Sequence, residues 1–431
     1  MSKKTFTLII VIVLAAIGAS YYWFFVRNTS PSIDTTSGTS QNGSSIFGNN
    51  GSLGGQGGKT SSSTTTANTT TQPGMPVPVL RELSATPVGG MAASTTASST
   101  IVRWVDRGVG RVYQAHSDNT AIDELSNTTI PRVYSTYWNH NATSFILQSV
   151  AEDSDKVTSF FATLYPVAQS SAGTSTAIST PFELRGSPLP SATLAVAISP
   201  KGDKVFTLEN NALNNLGKSN VIDMTSTGYI SQFNGTKKTQ VLTTPLSRLN
   251  IEWPEENTLA ITTKGSAGSA GFLYFVNPKD GLFNKILGNI GGLSTLTSKD
   301  ASHVLYTAST DTGIKSSLYN VKTGSSQDMI FNTMPEKCVW STLQKNILYC
   351  AVPSTIPSAT YPDDWYKGSV SFSDSIWEVD TTTGDAHQIV NLLKVAGSTI
   401  DATNLVLDPQ ENYLYFINNK KLTLWSLELN S

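Results

Sequence analysis

The segment with the densest set of chemically active side chains lies late in the chain, at residues 353–375. Within it, six consecutive positions supply three aromatic rings and two carboxylates: Tyr361, Asp363, Asp364, Trp365 and Tyr366. Aromatic anchors beside charged groups are typical of a binding hot spot. We therefore take this segment as a candidate binding loop. A competing, purely structural interpretation is that the rings fold back over the face of their own domain.

The neighbouring carboxylates Asp363 and Asp364 also raise acid–base chemistry or a Ca²⁺ site. In an extended segment adjacent side chains point to opposite sides, so this pair alone is not a catalytic dyad. Asp153 and Asp155 have the alternate spacing that could share one cation, but a solvated hairpin tip explains them better. No nucleophile elbow, phosphate-binding loop or His-Glu-x-x-His helix is present. The sequence predicts no catalytic residue, no metal site and no cofactor, although a site assembled from distant segments would escape this test.

The two cysteines, Cys338 and Cys350, lie in the segment CVWSTLQKNILYC. If a hairpin pairs Trp340 with Leu348, the cysteines fall opposite each other on neighbouring strands, near disulfide range. We predict a structural disulfide, with free thiols as the alternative.

Composition limits the classes of function. The net charge of the 431 residues is −2, which offers no electrostatic argument for nucleic acid as a partner. The four histidines are scattered along the chain, which disfavours a histidine-based metal site. Charged residues make up only 14% of the chain, and Ser, Thr, Asn and Gly are abundant. This balance favours a secreted or surface β-protein.

The elements that must position these side chains are set by an internal repeat. A strand, a tight polar turn and a second strand recur seven times, with turns near Thr96, Asn139, Ser199, Pro254, Ser298, Ser341 and Asp408. The shortest interval between turns, 43 residues, matches a four-stranded propeller blade, and longer intervals indicate loop insertions. We predict an all-β, seven-bladed β-propeller over residues 78–431, with six or eight blades as alternatives.

Two further patterns refine this propeller. A strand carrying an aromatic ring follows each of six turn hairpins, and rings placed identically in every unit indicate packing between blades: Tyr113, Tyr229, Tyr274, Tyr319, Trp377 and Trp425. The last unit supplies only three strands, whereas residues 79–87 precede the first unit and resemble an outer strand. We predict that this N-terminal strand closes the ring as the fourth strand of the last blade.

The repeat LAVAISPKGDKVFTL at 194–208, followed by Leu-Tyr strands such as SSLYNVKTG, resembles TolB-type and WD-repeat-like β-propellers. The resemblance covers about four-fifths of the chain and implies the fold alone, because propellers act as scaffolds, receptors and enzymes. The Ser199-Pro200-Lys201-Gly202-Asp203 turn is the one close copy, and the Gly-His and Trp-Asp signatures of strict WD repeats are absent. No partner-binding residues carry over from that family.

The N-terminus predicts a membrane anchor. Thr5 to Val26 form 22 uncharged residues, enough to span a bilayer as a helix. Lys3 and Lys4 precede this run, so the positive-inside bias puts the N-terminus in the cytoplasm and the rest outside. We predict a signal-anchor over residues 1–27, with a cleaved signal peptide as the alternative. Residues 28–77 form a Ser/Thr/Gly/Asn-rich linker with too few apolar side chains to fold.

These patterns lead to an expected function. We expect a single-pass, membrane-anchored, extracytoplasmic propeller that binds a protein or a cell-wall polymer and is not an enzyme. The alternative is a propeller hydrolase or lyase acting on glycans or small esters at the cell envelope. A third interpretation makes the propeller an architectural piece of a larger membrane assembly.

Overall fold

The computed structural model describes residues 77–429, apart from 97–98, 152–155, 168–180, 191 and 215–224. The predicted anchor, the linker up to residue 76, and Asp153 and Asp155 lie outside the described residues. Within the described part of the chain, no helix is long and apolar enough to cross a membrane.

The described residues form seven four-stranded antiparallel sheets, which confirms the predicted seven-bladed propeller. Blade 1 contains β2 (Val88–Thr95), β3 (Thr100–Asp106), β4 (Val112–His116) and β5 (Ile122–Glu124). Blade 2 contains β6 (Val133–Trp138), β7 (Ser144–Val150), β8 (Val157–Pro166) and β9 (Phe182–Pro188). Blade 3 contains β10 (Thr193–Ile198), β11 (Lys204–Asn210), β12 (Ser226–Gln232) and β13 (Thr239–Thr244). Blade 4 contains β14 (Leu249–Glu255), β15 (Thr258–Thr263), β16 (Ala270–Val276) and β17 (Phe283–Gly291).

The remaining blades follow the same plan. Blade 5 contains β18 (Ser294–Thr297), β19 (His303–Ser309), β20 (Ile314–Asn320) and β21 (Ser325–Asp328). Blade 6 contains β22 (Cys338–Trp340), β23 (Ile347–Pro353), β24 (Asp374–Asp380) and β25 (Ala386–Asn391). Blade 7 contains β26 (Ala402–Leu407), β27 (Tyr413–Asn418), β28 (Thr423–Glu428) and, as its fourth strand, β1 (Leu80–Glu82). The helical turns are α1 (Asn211–Asn214), a 3₁₀ turn (Pro335–Lys337), α2 (Asp363–Tyr366) and α3 (Leu392–Ala396).

The N-terminal strand β1 therefore closes the ring as the fourth strand of the last blade. Leu80 pairs with Leu427 and Glu82 pairs with Trp425, so the first strand of the domain is hydrogen-bonded to the last. The paired stretch is three residues long, shorter than the 79–87 segment, because the chain leaves the sheet at Leu83 to enter blade 1.

The turn between the first and second strands of a blade has a common physical basis. In the turn that begins at Ser199, the Ser199 hydroxyl accepts a hydrogen bond from the Lys204 N–H at 3.0 Å, and Gly202 is left-handed with φ of 71°. The turns that begin at Asn139, Ser298 and Asp408 repeat both features, with an acceptor at the first position and a left-handed residue three positions later. A short polar side chain that caps its own turn therefore explains why these turns have the same shape although their residues differ.

The hydrophobic core lies between the blades. One cluster joins blades 6 and 7 through Ile376, Leu392, Leu414 and Phe416, all fully buried. Equivalent clusters occur elsewhere around the ring, and the predicted rings of the third strands belong to several of them, mostly half-buried. Each sheet therefore packs against the sheets on either side of it in the ring.

Candidate functional site

The loops that join the second and third strands of each blade share one face with the connections between blades. The long insertion of blade 6, residues 354–373, belongs to this face, because β23 ends at Pro353 and β24 begins at Asp374. We call it the insertion face. The turns between first and second strands lie at the other end of the same strands and form the opposite face.

The insertion folds back over its own domain. Tyr361 is 0% exposed and Trp365 is 5% exposed, and both pack with Ile314, Met334 and Phe372. The Tyr361 and Trp365 rings lie 5.9 Å and 6.2 Å from the Phe372 ring, in stacked geometry. In this conformation these two rings are therefore core side chains. They fold back over their own domain, as in the structural alternative to a binding loop.

A fully buried lysine holds the base of the insertion. Lys337 Nζ donates to Asp374 Oδ2 at 2.7 Å, to Asp401 Oδ1, and to the Ala402 carbonyl at 2.9 Å. The Trp365 indole N–H donates to the other oxygen of Asp401 at 3.0 Å. Removal of one member would leave a charge in a dry site, so this cluster ties the insertion to blades 6 and 7.

The pKa values of the two carboxylates in the cluster are shifted in opposite directions. Burial raises the pKa of Asp374 to about 6. Burial also acts to raise the pKa of Asp401, but Lys337 and the hydrogen bond from Trp365 hold that pKa below its usual range. Asp401 is thus the carboxylate of the cluster that stays ionised to lower pH.

Asp363 and Asp364 lie in α2, a helical turn, and the expectation of an extended segment was wrong. The turn forms because the Asp364 carboxylate accepts the Thr360 N–H at 2.8 Å. Asp363 points away from Asp364 and accepts from Ser266 Oγ at 2.9 Å and from the Ala267 N–H at 2.8 Å, both in blade 4. The two carboxylates therefore fasten the insertion in place.

The Tyr366 hydroxyl links the insertion to the connection between blades 5 and 6. This hydroxyl donates to Glu336 Oε1, which also accepts from Ser294 Oγ at 2.6 Å. Burial, and then the charge of Glu336, raises the pKa of Tyr366, so the phenol stays protonated. Lys264 Nζ lies 5.5 Å from the centre of the Tyr366 ring, in cation–π range. At this point the insertion therefore contacts Lys264, a basic residue of blade 4.

The hydrogen bonds that the structure gives the insertion outside itself go to blades 4 to 7. The part of the insertion face over blades 1 to 4 holds two adjoining clefts instead. One cleft, of about 430 Å³, is lined by Tyr134, Leu194, Arg248, Asn250 and Lys264 among others. The other cleft, of about 730 Å³, is lined by Arg107, Val109, Arg132 and again Tyr134. We call this surface the basic half-face.

The basic half-face is open and cationic. Tyr134 is 56% exposed, and Arg248 and Lys264 are also exposed. Asp106 lines the second cleft, but its carboxylate is buried and accepts the Gly108 and Val109 N–H groups at 2.8 Å. An exposed ring beside guanidinium and ammonium groups suits a ligand that is flat in part and negatively charged in part.

The central channel also contains two titratable groups that influence each other, Glu252 and Lys299. Glu252, on the innermost strand of blade 4, accepts the Thr297 N–H of blade 5 at 2.8 Å. Burial raises the pKa of Glu252 to about 7, against the opposing effects of Thr297 and Lys299. Burial lowers the pKa of Lys299, and Glu252 partly offsets this effect. Such a carboxyl exchanges its proton near neutral pH.

Cys338 and Cys350 form a disulfide across the β22–β23 hairpin, in the register expected from Trp340 opposite Leu348. The described residues contain no cluster of three metal-ligating side chains.

Comparison with known proteins supports the fold. An oligogalacturonate lyase from Vibrio parahaemolyticus aligns with a TM-score of 0.51 at 8% identity, over 81% of this chain and 93% of that one. TolB from Acinetobacter baumannii aligns with a TM-score of 0.39 at 9% identity, over 75% of this chain and 61% of that one. No protein-family model matches the sequence, and no curated protein matches it. The alignment with the lyase supports the fold alone, at low identity.

Sequence patterns did not identify several residues of these sites. Lys337 and Asp401 are 64 positions apart and meet only because blades 6 and 7 are neighbours. Tyr134 belongs to blade 2, whereas Arg248 and Lys264 flank strands of blade 4, and the segments share no motif. One signal was available, since Arg248 and Lys264 both flank strands at the end that carries the insertion.

Proposed function

We propose that this protein is a non-enzymatic recognition module of the cell envelope, tethered to the membrane by residues 5–26. In this proposal, the basic half-face binds an anionic cell-wall polymer outside the cytoplasm. The proposal depends on one observation. Exposed cations and an exposed aromatic ring lie together on the part of the insertion face that the insertion does not cover.

The charges favour an anionic ligand. Arg107, Arg132, Arg248 and Lys264 line two clefts that share Tyr134, so cations flank an exposed ring on both sides. Guanidinium groups bind carboxylates and phosphates with paired hydrogen bonds, and an aromatic face stacks on a flat, apolar sugar face. A polymer with repeated negative charge would contact several of these cations at once.

The insertion has a supporting role in this proposal. It covers the face over blades 4 to 7 and ends with Tyr366 beside Lys264. Lys264 is thereby held at the edge of the open clefts. In this proposal the insertion, which the sequence suggested as the binding loop, forms one side of the binding surface. The residues that bind the polymer lie next to it, on the basic half-face.

The test is polymer binding by the full chain in lipid nanodiscs, measured by biolayer interferometry. The immobilised polymers are a carboxylated polysaccharide, a poly(polyol phosphate) of the teichoic-acid type and a neutral glucan. We expect binding to one or both anionic polymers that weakens with added salt, and none to the glucan. Replacing Arg248 and Lys264 together by alanine should weaken binding at least about tenfold.

The matched control removes two exposed lysines from the turns between third and fourth strands, Lys279→Ala with Lys322→Ala. This variant has the same change in net charge, so unaltered binding by the control assigns the effect to the basic half-face. Equal losses in the two variants, or equal binding to the neutral glucan, would contradict the proposal.

The enzymatic alternative, a hydrolase or lyase, has one observation in its favour. Glu252 lies in the channel with a pKa of about 7, the range that suits a general acid or base at neutral pH. If this alternative holds, the chain should shorten an anionic or neutral glycan, and Glu252→Gln should abolish that activity. Chromatography of the glycan after incubation separates cleavage from binding.

A further inference from the structure

The opposite face, away from the insertion, has a cavity of its own at the mouth of the central channel. Its volume is about 580 Å³, within the usual range for small-molecule sites. Apolar side chains from blades 1, 6 and 7 form much of its wall: Met91, Val339, Trp340 and Leu407. A cavity of this size and character is larger than the gaps that remain between packed side chains.

One cation lines this cavity. Lys299, at the tip of the β18–β19 turn, is exposed to it, and the structure shows neither a hydrogen bond nor an ion pair for its ammonium within the described residues. The other titratable side chains that line the cavity are His140 and Asp408. Asp408 is buried and occupied, since it accepts the Tyr413 N–H at 2.6 Å and the Thr100 hydroxyl at 3.0 Å. Burial, and then Lys299, lowers the pKa of His140, which therefore stays neutral.

Glu252, the carboxyl whose charge acts on Lys299, does not fully neutralise it. Glu252 interacts with it through the channel, but Glu252 already accepts the Thr297 N–H, and burial raises its pKa to about 7. At neutral pH the carboxyl is therefore only partly ionised. The exposed ammonium is therefore left at the mouth of the channel without a full counter-charge, which favours an incoming anion.

We infer that this cavity is a second ligand site, which binds a small carboxylate with an apolar body. The carboxylate pairs with the Lys299 ammonium, and the apolar body packs against Met91, Val339 and Trp340. This site is independent of the basic half-face, because it lies at the other end of the strands and shares no residue with it.

The experiment is isothermal titration calorimetry on the full chain in nanodiscs, with empty nanodiscs titrated as the blank. The probes are 2-naphthoate and its uncharged counterpart of the same shape, 2-naphthamide. We expect saturable binding of the naphthoate and binding of the amide that is weaker by about tenfold or more. Lys299→Met should reduce naphthoate binding to the level of the amide.

Two further variants complete the test. Lys345→Met removes an exposed cation that lies 3.7 Å from Asp300, in the same turn as Lys299, and should leave binding of the naphthoate unchanged. Met91→Trp fills the cavity and should abolish binding of both probes, with thermal unfolding used to verify that it folds. The inference is overturned if naphthoate shows no saturable binding at millimolar concentration, or if Lys299→Met binds it as well as the unaltered chain.

Discussion

At the scale of single residues, two groups of charges differ in how completely they are paired. Lys337 is satisfied on every side, with two carboxylates and a carbonyl, and belongs to the frame that holds the insertion. Glu252 and Lys299 are incompletely paired and face the channel. Loss of Lys337 should therefore affect stability most, whereas the raised pKa of Glu252 makes stability depend on pH near neutrality.

Lys337→Met should be strongly destabilising. The substitution leaves Asp374 and Asp401 buried without a cation, and loss of one partner of a buried ion pair costs about 3–5 kcal/mol. Urea unfolding followed by tryptophan fluorescence measures the loss. Lys367→Met, at an exposed lysine of the same insertion, should change the free energy of unfolding by less than about 0.5 kcal/mol. Similar losses in the two variants would show that the cluster does not hold the fold.

Glu252→Gln should become increasingly stabilising as the pH rises. The folded pKa of Glu252, about 7, lies above its ordinary value of 4.5, so the folded state binds the extra proton between those values. The contribution of Glu252 is therefore fully present below pH 4.5 and is lost as the pH rises through 7. We expect the variant to gain about 1–3 kcal/mol over the unaltered chain between pH 4 and pH 8. Parallel stability curves, measured by urea unfolding at each pH, would rule out a raised pKa.

At the scale of elements, the structure shows how degenerate repeats keep one shape. A capping side chain at the first position of the turn and a left-handed residue three positions later suffice in four of the blades. Blade 6 has a different device, since the short β22–β23 hairpin carries the disulfide and its turn is bound by Glu411 of blade 7. The hairpin at the root of the insertion is thus fixed covalently and by its neighbour.

Replacing Cys338 and Cys350 together by alanine should lower the free energy of unfolding by about 2–3 kcal/mol, the usual range for a short closed loop. Both side chains are buried between the strands, so the small loss of packed volume adds to the effect. Denaturant unfolding of the variant and of the parent, with and without reductant, measures the difference. If reductant destabilises the variant as much as the parent, the disulfide is not the source of the stability.

At the scale of the whole molecule, one three-stranded unit and one displaced strand make a closed ring. β1 is the only described strand that joins a blade from the far end of the domain. Leu80 packs with Leu414, Phe416 and Leu427 in the cluster between blades 6 and 7. Because blades contact mainly their neighbours, loss of this strand would turn a closed ring into an open array with an exposed edge.

Leu80→Ala should cost about 2–4 kcal/mol although it lies near the end of the domain, because it opens a cavity in a shared core. Val79→Ala is the matched control, since Val79 is 42% exposed and should change stability by less than about 0.5 kcal/mol. Differential scanning calorimetry measures both variants. A loss of stability at Leu80 no larger than that at Val79 would mean that closure contributes little to the ring.

The sequence alone determined the number of blades, the closing strand and the opposition of Cys338 and Cys350. These features follow from the chain order of strands and turns, and a hairpin places its residues by local register. Tertiary structure decided which side chains meet across blades, such as Lys337 with Asp401 and Asp363 with Ser266, and that Tyr134 and Arg248 line one cleft. It also decided that Tyr361 and Trp365 are core side chains, because an aromatic ring in a loop either packs on its own domain or meets a partner, according to the surface beneath it. That surface is built by residues far away in the chain, so no local pattern records it.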